Sequence, residues 1–141
     1  MQPIIDHIDI TVNDLTEAEK FYDKVLPLLG FDLKEQRHAF EEADDYRSIE
    51  YPHKNFLFSI VQAAAKFQND TTDYRSSGAL HHLAFKAESK AAVDIFYNGL
   101  LNAGIAATPP ALYPQYYPDY YAVFFDDPFG IRYELVFYSR K

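Results

Sequence analysis

The segment "IIDHIDITV" alternates, with Ile8, Ile10 and Val12 on one face and His7, Asp9 and Thr11 on the other, the period of a strand with one buried side. Beyond it, Ala18, Phe21, Tyr22, Val25, Leu26 and Leu29 recur at helical spacing and predict a helix packed on that strand. Asp14 is its expected N-cap, with Glu17 completing a capping box, and Gly30 closes the helix after Pro27 has weakened its last turn. Three more strands are expected near "FDLKEQRH", "YRSIEY" and "NFLFSIVQ", the last two joined by a tight turn around "PHKN". The unit reads βαβββ.

The pattern then returns. A displacement of 75 positions lays "HIDITVNDLTEAEKFYDKVL", from His7, over "HLAFKAESKAAVDIFYNGLL", from His82, and sets "FSIV" on "YELV", so that Ser59 meets Glu134. The second copy is expected as a strand over 80–87, a helix over 89–103, a strand near 105–108 and a hairpin from "YYAVFF" to "IRYELVFY" turning at Asp127 to Gly130. Residues 1–62 form module one, the turn-rich stretch 63–78 a connector and 79–141 module two, together one domain. Prolines at 109, 110, 114 and 118 make the Tyr-rich segment 109–121 a stiff extended loop, expected to fold over the sheet as a lid. The fold class is α+β: two paired βαβββ modules whose twisted sheets form an open, cup-shaped mixed β-barrel with flanking helices.

Composition narrows the chemistry. With no cysteine among its 141 residues, the chain has neither disulfide nor thiolate, so any metal must be held by nitrogen and oxygen. A net charge of -8, with 13 Lys and Arg in no run, excludes nucleic acid as an expected partner. The start "MQPIIDHIDI" is unlike a signal peptide, and no apolar run approaches the roughly 20 residues that span a bilayer. A cytoplasmic protein without a membrane partner is expected.

Strand parity selects candidate site residues. If Leu83, Phe85 and Ala87 pack on the second helix, His82 and Lys86 lie on the opposite face, and His81 goes to the helix side or an edge. If Ile131, Tyr133, Leu135 and Phe137 pack inward, Arg132, Glu134, Val136 and Tyr138 face the other way. His7, His82, Glu134 and Ser59 then occupy repeat-related positions on the floor of a cleft walled by Leu57, Val61 and Val136. Two imidazoles and one carboxylate are ligands suited to Fe, Mn, Zn or Ni, with coordination positions left open. The plainer alternative makes the histidines hydrogen-bonded structural residues and Arg132 the partner of Glu134. Asp9 is expected as a rim group, Glu50 as a solvated residue before a turn, and His38 and His53 at the surface. Tyr120, Tyr121 and Arg132 are the candidate catalytic groups.

"DHIDITVNDLTEAEKFYDKVLPLLGF", "LHHLAF" and "FFDDPFGIRYELV" together resemble the vicinal oxygen chelate superfamily of glyoxalase I, extradiol dioxygenases, and fosfomycin- and bleomycin-resistance proteins. The resemblance implies metal-ligand roles for His7, His82 and Glu134, a divalent metal ion, and a small-molecule substrate that offers two neighbouring oxygens. It also implies a lyase, isomerase or dioxygenase reaction and a homodimer. Ser59 stands where glyoxalase I has a second glutamate, so the ligand set is closer to that of the extradiol dioxygenases. The bleomycin-resistance branch implies the alternative, a metal-free protein that binds or sequesters a small molecule.

Overall fold

A computed structural model of the chain describes every residue except Gln2, Asn55, Arg140 and Lys141. It forms two compact units, residues 1–71 and 72–141. Each is a four-stranded mixed sheet carrying one helix, an α+β arrangement with the βαβββ order that the hydrophobic pattern predicts.

In the first unit, β1 (His7–Val12) leads into α1 (Leu15–Val25), and β2 (Arg37–Glu41), β3 (Tyr46–Pro52) and β4 (Leu57–Gln62) follow. The sheet order is β1-β4-β3-β2, with β1 parallel to β4 and the other neighbours antiparallel. Ile10, Ile49, Tyr51, Phe58 and Ile60 bury one sheet face against Ala18, Tyr22 and Val25 of α1. Asp14 caps the helix by accepting from the Glu17 backbone N–H at 3.0 Å, but the Glu17 side chain pairs with Lys20 instead of closing the box. Pro27 converts the last turn to a 3-10 helix, Leu26–Leu29, which Gly30 ends at φ 89°.

Polar bonds tie β3, β2 and the residue before β2 to that helix. The buried Tyr51 hydroxyl donates to Asp23 Oδ1 at 2.9 Å, and Gln36 Nε2 donates to the same oxygen at 2.9 Å. Desolvation first, and the Asp23 bond second, push the Tyr51 phenol far above its usual range. His38 reaches Glu19 from β2 at 2.8 Å and is exposed, as expected.

Three expectations fail here. "FDLKEQRH" is not one strand, because the Asp32 side chain accepts from the Lys34 N–H and caps a 3-10 turn, Leu33–Glu35, so β2 starts only at Arg37. His53 is not a surface residue; its half-buried ring lies between Phe31, at 4.9 Å, and Phe56, at 5.7 Å, acting as a flat packing surface at the hairpin end. Glu50 lies within β3 and pairs with Arg37 at 3.1 Å instead of standing free before a turn.

The second unit repeats the plan with β5 (Leu83–Lys86), α2 (Lys90–Asn102), β6 (Ala111–Leu112), β7 (Tyr121–Asp126) and β8 (Arg132–Phe137), ordered β5-β8-β7-β6. Ser89 caps α2 through the Ala92 N–H, as Asp14 caps α1. Asp9 stands opposite Ser59 in the parallel pair of the first unit, and Ala84 opposite Glu134 in the second, so both sides keep the offset of the sequence repeat. The hairpins differ by one position, since Glu50 faces Ser59 whereas Phe124 faces Glu134. A longer turn absorbs the extra residue, with Asp127 Oδ1 accepting from the Phe129 and Ile131 N–H groups at 2.8 Å each. Phe96 of α2 packs on Phe125, which stacks on Tyr133 at 5.3 Å, and these rings with Val93 and Leu100 form the core.

Here the strand expected from residue 80 begins at Leu83. The strand expected near 105–108 is a single bridge, Ala107 to Phe125, and the regular edge strand comes later, at β6. The Pro-rich loop is not extended: Tyr116 N bonds Tyr113 O and Tyr120 N bonds Tyr117 O, which folds it into consecutive turns. Among the described residues, no helix is long and apolar enough to cross a membrane.

The Tyr51 bond yields a direct test. Tyr51→Phe keeps the packed ring and leaves Asp23 with Gln36, so stability should fall by about 1 kcal/mol, read from the urea unfolding midpoint at unchanged slope.

Candidate functional site

The second unit carries an open cavity of about 750 Å³, all of whose lining residues belong to that unit. The site is built around Glu134, a carboxylate in the middle of β8 and only 2% exposed. Burying a charged group is costly without partners. Tyr120 donates its hydroxyl proton to Glu134 Oε1 at 2.5 Å. His82 Nε2 stands 3.4 Å from the other oxygen, Oε2. Desolvation, followed by the bond to Glu134, holds the Tyr120 phenol well above its usual range, so it stays protonated and remains a donor.

Both histidines of the "HH" pair line this cavity. Their Nδ1 atoms lie 2.7 Å apart, one donating and the other accepting, and the His81 ring rests edge-on against Tyr74. The expectation that His81 points to the helix side or an edge fails for a local reason. Strand geometry starts only at Leu83, so alternation does not govern residues 81 and 82.

Other candidates sort by their partners. Tyr121 donates to Asp94 of α2 at 2.7 Å, on the helix side of the sheet. Arg132 lines the cavity but does not pair with Glu134: its Nε donates to Asp126 Oδ1 at 3.2 Å, and its guanidinium lies 5.1 Å from the centre of the Tyr74 ring. Lys86 is held by the Tyr138 carbonyl and stacks over the Tyr138 ring. His7 belongs to the first unit, where it is exposed. Its Nδ1 lies 2.9 Å from Asp6 and its Nε2 lies 4.0 Å from Asp9, and the Asp6 bond above all raises its pKa. Among the described residues, neither unit by itself gathers three or more His, Cys, Asp or Glu side chains in a metal-holding group.

The donor pair nevertheless fits a metal. Two donors bound to one ion at about 2.1 Å, and at right-angled to tetrahedral spacing, stand about 3.0–3.4 Å apart. His82 Nε2 and Glu134 Oε2, at 3.4 Å, meet that requirement. Their types, imidazole and carboxylate, suit Fe, Mn, Zn or Ni. With Nε2 free to ligate, His82 donates its Nδ1–H to His81 Nδ1, which orients the ring in the way that outer partners orient ligating histidines.

What sequence reasoning missed is the wall. Tyr113, Tyr116 and Tyr120 from the loop, with Phe124 of β7, line the cavity beside small residues at 106 and 107. The tyrosine density of this loop was visible, but its direction depends on the turns and on a clasp at its end. Asp119 Oδ2 accepts from the Ser139 backbone N–H at 2.9 Å and also from its hydroxyl. Tyr138 stacks on Tyr120 at 5.2 Å and meets Tyr117 at 5.5 Å.

These features belong to a known class. Residues 4–135 match the family model described as Glyoxalase/Bleomycin resistance protein/Dioxygenase superfamily, and the chain belongs to that superfamily. It is 33% identical over 132 residues to the uncharacterized protein YqjT of Bacillus subtilis (strain 168), covering 92% of this chain and 95% of that one. A proposed glyoxalase from Bacillus halodurans shares 31% identity and a TM-score of 0.73, with 97% of each chain covered. The fosfomycin resistance protein FosX from Listeria monocytogenes shares the fold at 16% identity, with a TM-score of 0.66 over 99% of this chain and 96% of its own.

The Ser139 bonds hold the Asp119 carboxyl below its usual range. A depressed folded-state pKa adds stability above the unfolded value and loses it as pH falls through the folded one. Amide protection factors across 113–120, which correct for the intrinsic pH dependence of exchange, should therefore hold above the ordinary carboxylate range and be lost as pH falls through the depressed folded value. Asp119→Ala should lower them at neutral pH with little change in melting temperature.

Proposed function

We propose that this chain is a divalent-metal-dependent enzyme acting on a small organic substrate with two neighbouring oxygens, bound in the cavity of the second unit. The observation that carries the reading is the buried Glu134, whose Oε2 faces His82 Nε2 across 3.4 Å. Glu134 and His82 would hold the ion, and His7 is the third ligand that the family resemblance implies. When bound, the metal supplies Lewis acidity toward the paired oxygens or, as Fe(II), reactivity with dioxygen.

The protein's own groups do the rest. Tyr120 fixes Glu134 Oε1, which leaves Oε2 directed at His82. His81 fixes the His82 ring through its Nδ1. The aromatic wall orients the substrate and excludes water from the carboxylate. A lyase or isomerase reaction and a dioxygenase reaction both fit this arrangement, in a cytoplasmic protein that works as a homodimer.

A second reading is supported by the wall itself. A cavity faced by Tyr113, Tyr116 and Phe124 suits a metal-free protein that sequesters a small molecule, as in the bleomycin-resistance branch.

Metal content by plasma mass spectrometry, on tag-free protein purified without chelator, separates the two. The enzyme reading expects near-stoichiometric Fe, Mn, Zn or Ni, lost in Glu134→Gln, His82→Ala and His7→Ala. Wild-type protein that stays empty after anaerobic loading with each ion would sink it. Tyr120→Phe should keep the fold and lower metal affinity or turnover by about 10–100-fold, the usual effect of losing a group that orients a ligand.

A further inference from the structure

We infer that the body of the ligand in this cavity is a flat aromatic ring that carries no negative charge, selected by Tyr113, Tyr116 and Phe124. This deepens the proposed function, since it names the substrate class of the same site. The aromatic groups form a continuous surface. Tyr113 meets Phe124 nearly at right angles, 89° at 5.5 Å, and lies close to parallel with Tyr116, 27° at 6.2 Å. Tyr116 in turn meets Tyr120 at 5.4 Å, and Tyr120 is the residue bonded to Glu134. Phe124 stands directly opposite Glu134 in the β7–β8 register. A ring seated against this surface therefore lies next to the carboxylate and receives both faces and edges of its neighbours, the arrangement that aromatic pairs prefer.

Charge argues the other half. Arg132 is the one Lys or Arg among the lining residues, and Asp126 and Tyr74 already engage it. Glu134 is committed to Tyr120 and His82. Lys86 on the neighbouring strand is held by Tyr138. Among the described residues lining the cavity, an anionic ligand body would meet the carboxylates of Asp126 and Glu134 and no uncommitted Lys or Arg. The remaining surface is aromatic rings and alanine methyls, which leave an anion unpaired, whereas ring faces do not exclude a cation.

The test uses two probes built on the same fused ring: 2-naphthol, which has no chelating pair, and 2-naphthalenesulfonate, a weak metal ligand that carries the negative charge. Each is titrated by fluorescence at neutral pH into the full chain as purified, and into Tyr113→Ala and Tyr116→Ala. Tyr116 is 65% exposed, so its truncation leaves the core intact. Naphthol should bind the wild type at least about tenfold more tightly than the sulfonate and lose about tenfold in each tyrosine variant, the effect of removing one stacking partner. Equal or tighter binding of the sulfonate overturns the inference, as does naphthol binding indifferent to both tyrosines. Because naphthol does not need the metal, the two readings fail separately. A metal-free protein that still binds naphthol at the tyrosine wall refutes the metal reading alone, whereas a metal-replete protein that ignores naphthol refutes the ring.

Discussion

One carboxylate sets the terms for the second unit. Glu134 lies in an inner strand of its sheet, flanked by β5 and β7, where water cannot solvate it. An unpartnered charge there would cost several kcal/mol against a net folding stability of about 5–15 kcal/mol. The fold must therefore bring polar partners to it from elsewhere in the chain. Tyr120 arrives from a loop 14 residues away and His82 from the segment before β5. Ala84 directly opposite on β5 leaves room on that face, and Phe124 on the other neighbouring strand presents a ring rather than a competing polar group.

That requirement explains the loop. A segment with prolines at 114 and 118 could extend into solvent, but it turns twice through backbone bonds and is clasped by Asp119 to Ser139 at the end of the same strand that carries Glu134. Ring stacking on Tyr138 completes the attachment. The groups that secure the loop and the groups that wall the cavity are thus interleaved along it, Tyr113 and Tyr116 facing the cavity and Tyr117 and Asp119 holding the base. Rigidity and recognition come from one stretch of chain, which is economical for binding because little conformational freedom remains to be lost on capture of a ligand.

The two copies show how one backbone plan takes on different duties. Where the second unit has Glu134, the first has the buried Ser59, which carries no charge to neutralise. Its long-range polar bonds run instead from Tyr51, Gln36 and His38 to acidic residues of α1, fastening strands to helix. Its β2 is a five-residue strand, whereas the corresponding edge of the second unit is shortened to two residues by the segment that builds the wall. Membership of a superfamily that includes glyoxalases, bleomycin resistance proteins and dioxygenases gives the frame. The chemistry belongs to what the second copy adds to it.

The sequence by itself determined the βαβββ plan, its repetition and the face to which Glu134 belongs, because these follow from hydrophobic period and from a fixed offset between copies. Helix caps at Asp14 and Ser89 were legible for the same reason: a cap acts within three residues of itself. Reading failed where regular period stopped. His81 could not be placed because the strand begins two residues later, and "FDLKEQRH" was broken by a side-chain cap at Asp32 that competes with pairing. Only the tertiary structure decided that Tyr120 meets Glu134 while Tyr121 meets Asp94, and that Arg132 turns to Asp126 rather than to Glu134. The direction of a loop side chain is set by partners distant along the chain, and no local pattern carries that information.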